Sequence, residues 1–226
     1  MPLPPLEVLK KVPLFASLPD QELAAFAELV RERSYPRGSV ILFEDDQGDS
    51  LFLLADGQVK VVLIGEDGRE VILSVLREGS FFGEMALLDD QPRSAHVIAM
   101  EDSSLLVLRR EDFQARLRQS PEVAIALLRE LAGRLRRADE KIGGLVLLDV
   151  NGRVADLLLR MADEEGGIHI TRKITHHVIA QMIGSSRETV SRTMRDFVDK
   201  GWIQVGRKDI QLINRAALEQ SAGRSS

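Results

Sequence analysis

The segment Phe82–Ala95 joins two apolar runs and carries the groups that a bound phosphate ester needs. Gly83 precedes a short helical turn, whose backbone N–H groups suit an anion. Arg93 offers a planar, fork-shaped cation that matches two oxygens of a phosphodiester, and the Ser94 hydroxyl adds a donor. Glu84 is an acceptor for a ribose hydroxyl. These residue types in one short connection predict a site for a phosphate and its sugar.

A second segment, His176–Met194, has the spacing of a helix-turn-helix. Two helices that cross at a sharp angle need a small residue where they touch, and Ala180 supplies it. The turn needs a residue that accepts a positive φ, which is Gly184. Ser186 is predicted to be the N-cap of the second helix. The predicted apolar interior consists of Ile179, Ile183, Val190, Met194 and Phe197.

The outer face of that second helix predicts contact with DNA bases. Residues 187 and 191, like 188 and 192, are four apart and therefore share a face. Arginine can donate two hydrogen bonds to guanine, and glutamate can accept one from cytosine, in the major groove. Ordinary Glu–Arg pairing on an exposed helix explains the charges but not the small residue and the glycine before them. The residues assigned to DNA are His176, Ser186, Arg187, Glu188, Thr189, Ser191, Arg192 and, in a basic hairpin turn, Lys208.

Short apolar runs separated by turn residues indicate that the first half of the chain is a β-domain. Strands with a turn every roughly 8–12 residues are typical of a sandwich or barrel. Asp67-Gly68, between two β-branched runs, predicts a hairpin. Before the strands, the apolar spacing from Pro4 to Arg33 predicts helix. The predicted strands are Val40–Phe43, Leu51–Leu54, Val59–Ile64, Val71–Leu76, Ser80–Phe82, His96–Met100 and Leu105–Leu108.

A long helix is predicted from Pro121 to Leu148, with Pro121 in its first turn. Its apolar residues step alternately by three and four positions, which is the seam of a coiled coil. The seam can lie on the chain's own β-domain, but flanking charges such as Arg136 and Glu140 favour a second copy, so we predict a homodimer. The predicted dimer interface consists of Leu128, Leu131, Leu135, Ala138, Ile142 and Leu145.

Asp149–Gly152 interrupts the helical pattern and is predicted to be a hinge between two modules. The predicted domains are a β-domain at 1–120, the long helix at 121–148, the hinge at 149–152 and a DNA-binding domain at 153–226. Within the last, the pattern predicts a helix at Arg153–Ala162, a strand at Ile168–Ile170, a hairpin of Trp202–Val205 with Ile210–Ile213, and a loose tail at 221–226.

The net charge of −5 is unevenly distributed over the 226 residues. Residues 1–150 hold 18 Lys and Arg against 26 Asp and Glu, whereas residues 151–226 hold 12 against 9. An acidic body joined to a basic module suits a protein that approaches a polyanion. No apolar run reaches the roughly 18 residues of a membrane helix. The N-terminus lacks a signal-peptide pattern, so we expect a cytoplasmic protein without a membrane partner.

The sequence offers no candidate residues for metal binding, redox chemistry or thiol chemistry. There is no cysteine, which excludes disulfides, thiolate zinc sites and cysteine-held clusters. The four histidines are scattered without ligand spacing, so we predict no metal site and no catalytic residues.

Three pieces together resemble the cyclic-AMP receptor protein branch of the CRP/FNR family of transcription regulators. They are Gly83-Glu84 with Arg93-Ser94-Ala95, the run Leu148–Arg153, and Ser186–Arg192, and the resemblance covers nearly the whole chain. It implies an α+β fold: a double-stranded β-helix (jelly roll) that binds cyclic nucleotide, a long dimerisation helix and a winged helix-turn-helix. The implied ligand residues are Gly83, Glu84, Met85, Ala86, Arg93, Ser94, Ala95, Ala138 and Asp139.

The resemblance implies cyclic AMP as an allosteric ligand, with no catalytic cofactor. It further implies a palindromic, TGTGA-type site in double-stranded DNA and RNA polymerase as a partner. One departure bears on the ligand. Relatives of this branch carry a Thr-Ser pair that touches adenine, where this chain has Ala138-Asp139. Cyclic AMP is the first expectation, and cyclic GMP, a cyclic dinucleotide or DNA binding without any ligand are the alternatives.

Other function classes fit the sequence less well. A cyclic-nucleotide hydrolase needs a metal cluster or a placed base, which the scattered histidines do not supply. A module that gates a kinase or channel needs a catalytic or membrane segment. The oxygen-sensing branch of the family needs cysteines, and a haem sensor needs an axial ligand, for which His96 is the one histidine in the β-domain.

Overall fold

The computed structural model describes residues 4–16, 18–172, 174–207 and 209–224. The chain divides into two compact units, the first ending at Arg134 and the second beginning at Leu135. Within the described residues, no helix has both the length and the apolar character that crossing a membrane requires.

Among its described residues, the first unit is built around eight strands in two antiparallel sheets. Their orders are β1-β8-β3-β6 and β2-β7-β4-β5, which is the arrangement of a jelly roll and confirms that prediction. The elements are α1 (Pro5–Lys11), α2 (Asp20–Leu29), β1 (Arg31–Tyr35), β2 (Val40–Leu42), β3 (Ser50–Asp56), β4 (Gln58–Ile64), β5 (Glu70–Arg77), β6 (Phe81–Phe82), α3 (Met85–Asp89), β7 (His96–Ala99), β8 (Ser103–Arg109), α4 (Arg110–Gln119) and the first part of α5 (Pro121–Leu147).

Strand β3 shows how the two apolar layers of this unit arise. Successive side chains of a strand point to opposite faces. Phe52 and Leu54 therefore join the cluster between the two sheets, where Phe52 stacks on Phe82 with ring centroids 5.3 Å apart. Leu51 and Leu53 join the other cluster, under the helices. A strand buried on both faces reads as a continuous apolar run, which is why this one was predicted correctly.

The predicted helix from Pro4 to Arg33 is wrong at its end. The chain forms α1 and α2 and then continues as strand β1, which pairs antiparallel with β8 from Arg31↔Val107 to Tyr35↔Ser103. Residues 31–34 are exposed and carry no apolar alternation, so the strand is specified by its backbone partner rather than by its own sequence. Helix α4 was also not predicted. The Asp67-Gly68 hairpin is confirmed, with Gly68 at φ 77°.

The second unit combines helices with a small antiparallel sheet of order β10-β11-β9. Its elements are the rest of α5, α6 (Val150–Glu164), β9 (His169–Ile170), α7 (His176–Ile183), α8 (Arg187–Asp199), β10 (Ile203–Val205), β11 (Ile210–Leu212) and α9 (Arg215–Ser221). Leucines of α6 and the buried residues of α7 and α8 share one core with the β10–β11 hairpin. The predicted helix-turn-helix and hairpin are both confirmed.

The segment 149–152 forms the start of α6, which begins at Val150 and not at Arg153. The Asp149 carboxylate accepts from the Gly152 N–H at 2.8 Å and so caps the helix. A Cβ on Gly152 would lie 2.7 Å from the Ser221 carbonyl oxygen, so the close approach of the C-terminal helix requires glycine here. That these residues act as a hinge stays a prediction.

The C-terminal segment was predicted to be a loose tail, and this is wrong for its first part. Helix α9 ends at Ser221, and the chain is then held by Arg224. The Arg224 guanidinium lies 2.8 Å from the Asp156 carboxylate on α6, and the Arg224 backbone N–H donates to the Glu219 carbonyl at 2.9 Å. The ion pair joins residues far apart in the sequence, which local patterns do not register. Residues 225 and 226 lie outside the described residues.

Candidate functional site

The connection between β6 and β7, here called the phosphate loop (residues 83–95), brings its arginine and its glycine together. Arg93 is 5% exposed, and its guanidinium donates to the Gly83 carbonyl at 2.6 Å and to the Ser50 carbonyl at 2.8 Å. Backbone hydrogen bonds in both directions with residues 45 and 46 fix the same residue. The arginine is therefore held at the base of the loop by main-chain atoms.

Two glycines make room for this side chain. A Cβ on Gly83, which has φ 85°, would lie 2.6 Å from Arg93 Nη1, and one on Gly48 would lie 2.9 Å from Arg93 Cζ. Burial lowers the pKa of Arg93, and the nearby Asp49 carboxylate opposes that shift. An arginine stays protonated in a protein. The loop therefore contains a buried guanidinium cation that donates its hydrogen bonds to neutral carbonyl oxygens.

Glu84 is the buried anion of the same loop, 2% exposed. Its carboxylate accepts from Arg134 Nη1 on α5 at 2.9 Å. Arg134 also donates to the Phe81 carbonyl at 2.6 Å, pairs with Glu130 at 3.1 Å, and lies over the Phe81 ring. A buried carboxylate needs such a partner, because an unpaired buried charge is costly. The acceptor that was assigned to a sugar hydroxyl is thus joined to the long helix by an ion pair.

The remaining predicted ligand residues fall into two groups. Ala86 and Ala95 are buried in the loop, while Met85 and Ser94 are exposed beside each other, with Ser94 Oγ 3.7 Å from Met85 Sδ. Ala138 and Asp139 are exposed on the part of α5 that belongs to the second unit. Their contact with a base stays a prediction.

Sequence reasoning missed several residues that build the loop. Arg110 donates to the carbonyls of Gly48 and Ala86 and pairs with Asp90, so it fixes the loop's helix α3 against the start of β3. Arg134 holds Glu84 from α5. Each acts across a long stretch of sequence. No local pattern marked the two arginines.

The helix-turn-helix has the predicted local chemistry. Gly184 ends α7 with φ 65°, and Ser186 caps α8 by accepting from the Thr189 N–H at 3.1 Å. Thr175 caps α7 in the same way, through the Val178 N–H. On the inner side of α8, Thr193 donates to the Asn151 side chain on α6 at 2.8 Å. Helix α8 is therefore fixed to its own unit by caps, apolar packing and a partly buried hydrogen bond.

The predicted DNA-binding residues differ in how free their side chains are. Arg187, Glu188 and Arg192 are exposed on one side of α8. Thr189 Oγ1 contacts Ser186 Oγ at 3.0 Å, and Ser191 Oγ contacts His176 Nδ1 at 2.8 Å. Lys208 lies outside the described residues. In the hairpin, Trp202 packs on Phe197 and lies under the Lys200 ammonium group.

Helix α5 exposes a row of large apolar side chains at seven-residue spacing. Leu128 is 66% exposed, Leu135 63% and Ile142 59%. Leu145 is also exposed, whereas Leu131 is half-buried against the core of the first unit.

Among the residues that the structure describes, no three His, Asp or Glu side chains form a group that could hold a metal ion.

A jelly roll with a buried arginine and glutamate in one loop, joined in sequence to a helix-turn-helix, defines a class of nucleotide-responsive DNA-binding proteins. Comparison with family models agrees. Residues 32–120 match the cyclic nucleotide-binding domain, and residues 152–221 match the Crp-like helix-turn-helix domain.

Known proteins match the chain over almost its full length. It is 37% identical over 214 residues to the cyclic AMP receptor protein of Thermus thermophilus, covering 95% of this chain and 98% of that protein. It is 31% identical over 221 residues to the CRP-like cAMP-activated global transcriptional regulator of Mycobacterium tuberculosis, covering 96% and 99%. The fold also matches the c-di-GMP responsive global regulator CLP of Xanthomonas campestris, with a TM-score of 0.74, 22% identity and coverage of 86% and 99%.

The chain belongs to the CRP/FNR family of transcription regulators. It is accordingly a DNA-binding protein with a cyclic-nucleotide-binding domain, and its family consists of regulators rather than enzymes.

Proposed function

We propose that this protein is a homodimeric transcription regulator that binds a palindromic, TGTGA-type DNA site when it holds cyclic AMP. It acts in the cytoplasm and contacts RNA polymerase at its promoters. The observation that carries the ligand is the phosphate loop, in which a buried glutamate follows Gly83 and a buried arginine donates to the Gly83 carbonyl. Two relatives that match nearly the whole chain are named for cyclic AMP, which favours that nucleotide.

The ion pair of Glu84 and Arg134 supports a way in which nucleotide binding changes the contacts of helix α5. A cyclic nucleotide whose phosphate takes the Arg93 guanidinium and whose ribose takes the Glu84 carboxylate competes with the bonds that these groups make now. Arg134 is on α5, so a change at Glu84 acts directly on the long helix. Coupling free energies between two such sites are typically about 1–3 kcal/mol.

The second candidate ligand is a guanine nucleotide. Asp139, when ionised, is only an acceptor, and it stands where relatives of the branch carry a hydroxyl residue. The family fold also serves a c-di-GMP responsive regulator. Ribose and phosphate contacts are the same for both bases, so the loop itself does not discriminate between them.

Calorimetric titration of the purified full chain with cyclic AMP tests the ligand. Micromolar binding at one site per chain is expected, followed by tighter binding of a palindromic duplex in the presence of the nucleotide. Cyclic GMP and cyclic di-GMP are titrated in parallel. Heat with either of these and none with cyclic AMP overturns the choice of ligand but leaves the loop assignment intact. Absence of heat with all three overturns both.

The exposed row on α5 supports the homodimer, because large apolar side chains at seven-residue spacing form the seam of a two-stranded coiled coil. Leu135→Glu places a charge in that seam, where burial without a partner is costly. We expect the dimer dissociation constant to rise at least 100-fold, measured by analytical ultracentrifugation. Leu147→Glu, an exposed leucine on the same helix but outside the seam, is the matched control and stays dimeric. A Leu135→Glu protein that is still dimeric at nanomolar concentration contradicts this interface.

A further inference from the structure

One hydrogen bond joins the two helices of the helix-turn-helix through polar side chains. His176 is the first residue of α7, and its Nδ1 lies 2.8 Å from the Ser191 hydroxyl in the middle of α8. Both residues are half-buried. The bond spans the angle between the two helices on the side where α8 carries its exposed arginines.

Ser191 is the hydroxyl of α8 that remains in a position to meet DNA. Thr193 is buried and bonded to Asn151, and Thr189 is occupied by the capping Ser186. Ser191 is four residues from Arg187 and next to Arg192, both exposed. It therefore lies at the border between the inner face of α8 and its outer face.

The direction of the His176–Ser191 bond decides what Ser191 offers to a base. A serine hydroxyl has one proton and two lone pairs, whereas a neutral histidine donates from one ring nitrogen and accepts at the other. If Ser191 donates to Nδ1, only its lone pairs remain, and these accept from adenine N6 or cytosine N4. If Nδ1 donates, the serine proton is free for guanine O6 or thymine O4.

We propose that His176 is a positioning residue that makes Ser191 a hydrogen-bond acceptor toward DNA, so that this position reads an amino-bearing base. A DNA phosphate that accepts from His176 Nε2–H fixes the tautomer, because the bond made by one ring nitrogen sets the state of the other. In the neutral ring Nδ1 is then the acceptor, and Ser191 must donate to it. The inference rests on the proposed contact of α8 with bases.

The experiment measures binding of the full chain, with its nucleotide, to a palindromic duplex in which each half-site position is changed in turn to all four bases. The wild type is expected to show one position where adenine or cytosine is preferred over guanine and thymine about fivefold, the effect of a single hydrogen bond. Ser191→Ala removes the preference at that position only. A wild-type profile with no position sensitive to Ser191→Ala overturns the inference.

Variants at position 176 show whether His176 acts through the direction of its hydrogen bond to Ser191 or only by stabilising α8. His176→Ala removes the phosphate contact and frees the serine proton, so the affinity falls equally for all duplexes and the amino-over-keto preference disappears. His176→Asn places an acceptor close to the position of Nδ1 and restores the preference. His177→Ala, at the neighbouring exposed histidine, is the matched control and changes nothing. Persistence of the preference in His176→Ala contradicts the proposal.

A spectroscopic measurement distinguishes failure of the His176–Ser191 proposal from failure of the proposed function. A long-range ¹H–¹⁵N spectrum of the full chain shows which nitrogen of His176 carries the proton, with or without DNA. We expect Nδ1 to be unprotonated in the DNA-bound state, where the phosphate contact is present. A protonated Nδ1 overturns the relay even where the chain binds its site. An unprotonated Nδ1 in a chain that binds no specific duplex overturns the proposed base contact while leaving the bond direction intact.

Discussion

Replacing Arg187 by alanine is expected to abolish sequence-specific DNA binding and to leave nucleotide affinity unchanged. Arg187 is exposed at the start of α8, immediately after the Ser186 cap, so its position is fixed by the backbone while its guanidinium is free for a base edge. One bidentate contact with guanine discriminates by about 1–3 kcal/mol. In a twofold dimer the loss occurs in both half-sites, so we expect a loss of about 2–6 kcal/mol in specific binding.

Fluorescence anisotropy with a palindromic duplex and with a scrambled duplex of equal length measures this effect. The affinity for the scrambled duplex should change little, because non-specific binding depends on phosphate contacts and salt rather than on base edges. Arg31→Ala, an exposed arginine on β1 in the first unit, is the matched control and should bind both duplexes as the wild type does. Equal losses of DNA and cyclic nucleotide affinity in Arg187→Ala would falsify the division of the chain into a ligand module and a DNA module.

Replacing Arg93 by alanine is expected to reduce the affinity for cyclic nucleotide by at least about 100-fold. Hydrogen bonds to charged groups contribute about 1.5–3 kcal/mol each, and a guanidinium offers a phosphate two of them at once. Arg93→Lys keeps the charge without the fork and should fall between the wild type and the alanine variant. Titration calorimetry measures all three proteins.

The Arg93 side chain also supports the phosphate loop, because it donates to the carbonyls of Gly83 and Ser50. Thermal unfolding of Arg93→Ala therefore accompanies the titration. Ser94→Ala is a second variant that does not endanger the fold, since Ser94 is exposed. It should lower the affinity for cyclic nucleotide by no more than about tenfold, which corresponds to the loss of one hydrogen bond. Wild-type affinity in Arg93→Ala, with the fold intact, rules out this loop as the phosphate site.

The local part of the DNA module was predictable because each feature depends on one residue type at one backbone position. A left-handed turn selects Gly184, and an unsatisfied helix N-terminus selects Ser186. The strands of the jelly roll were predictable for a similar reason, since β3 and β8 are apolar on both faces and read as continuous runs. Strand β1 was not, because its exposed residues become a strand only through pairing with β8.

The amino-acid sequence alone was enough to identify the family, the two modules and the residue types in the phosphate loop and on α8. These depend on spacing within a few residues, where caps, turns and periodicity act. The partners of those residues become known only in the folded chain. Arg134 pairs with Glu84, the carbonyls of Gly83 and Ser50 accept from Arg93, Asn151 accepts from Thr193, and His176 contacts Ser191. Most of these contacts join segments far apart in the chain. They form because a buried charge or hydroxyl must find a partner wherever the packed fold places one.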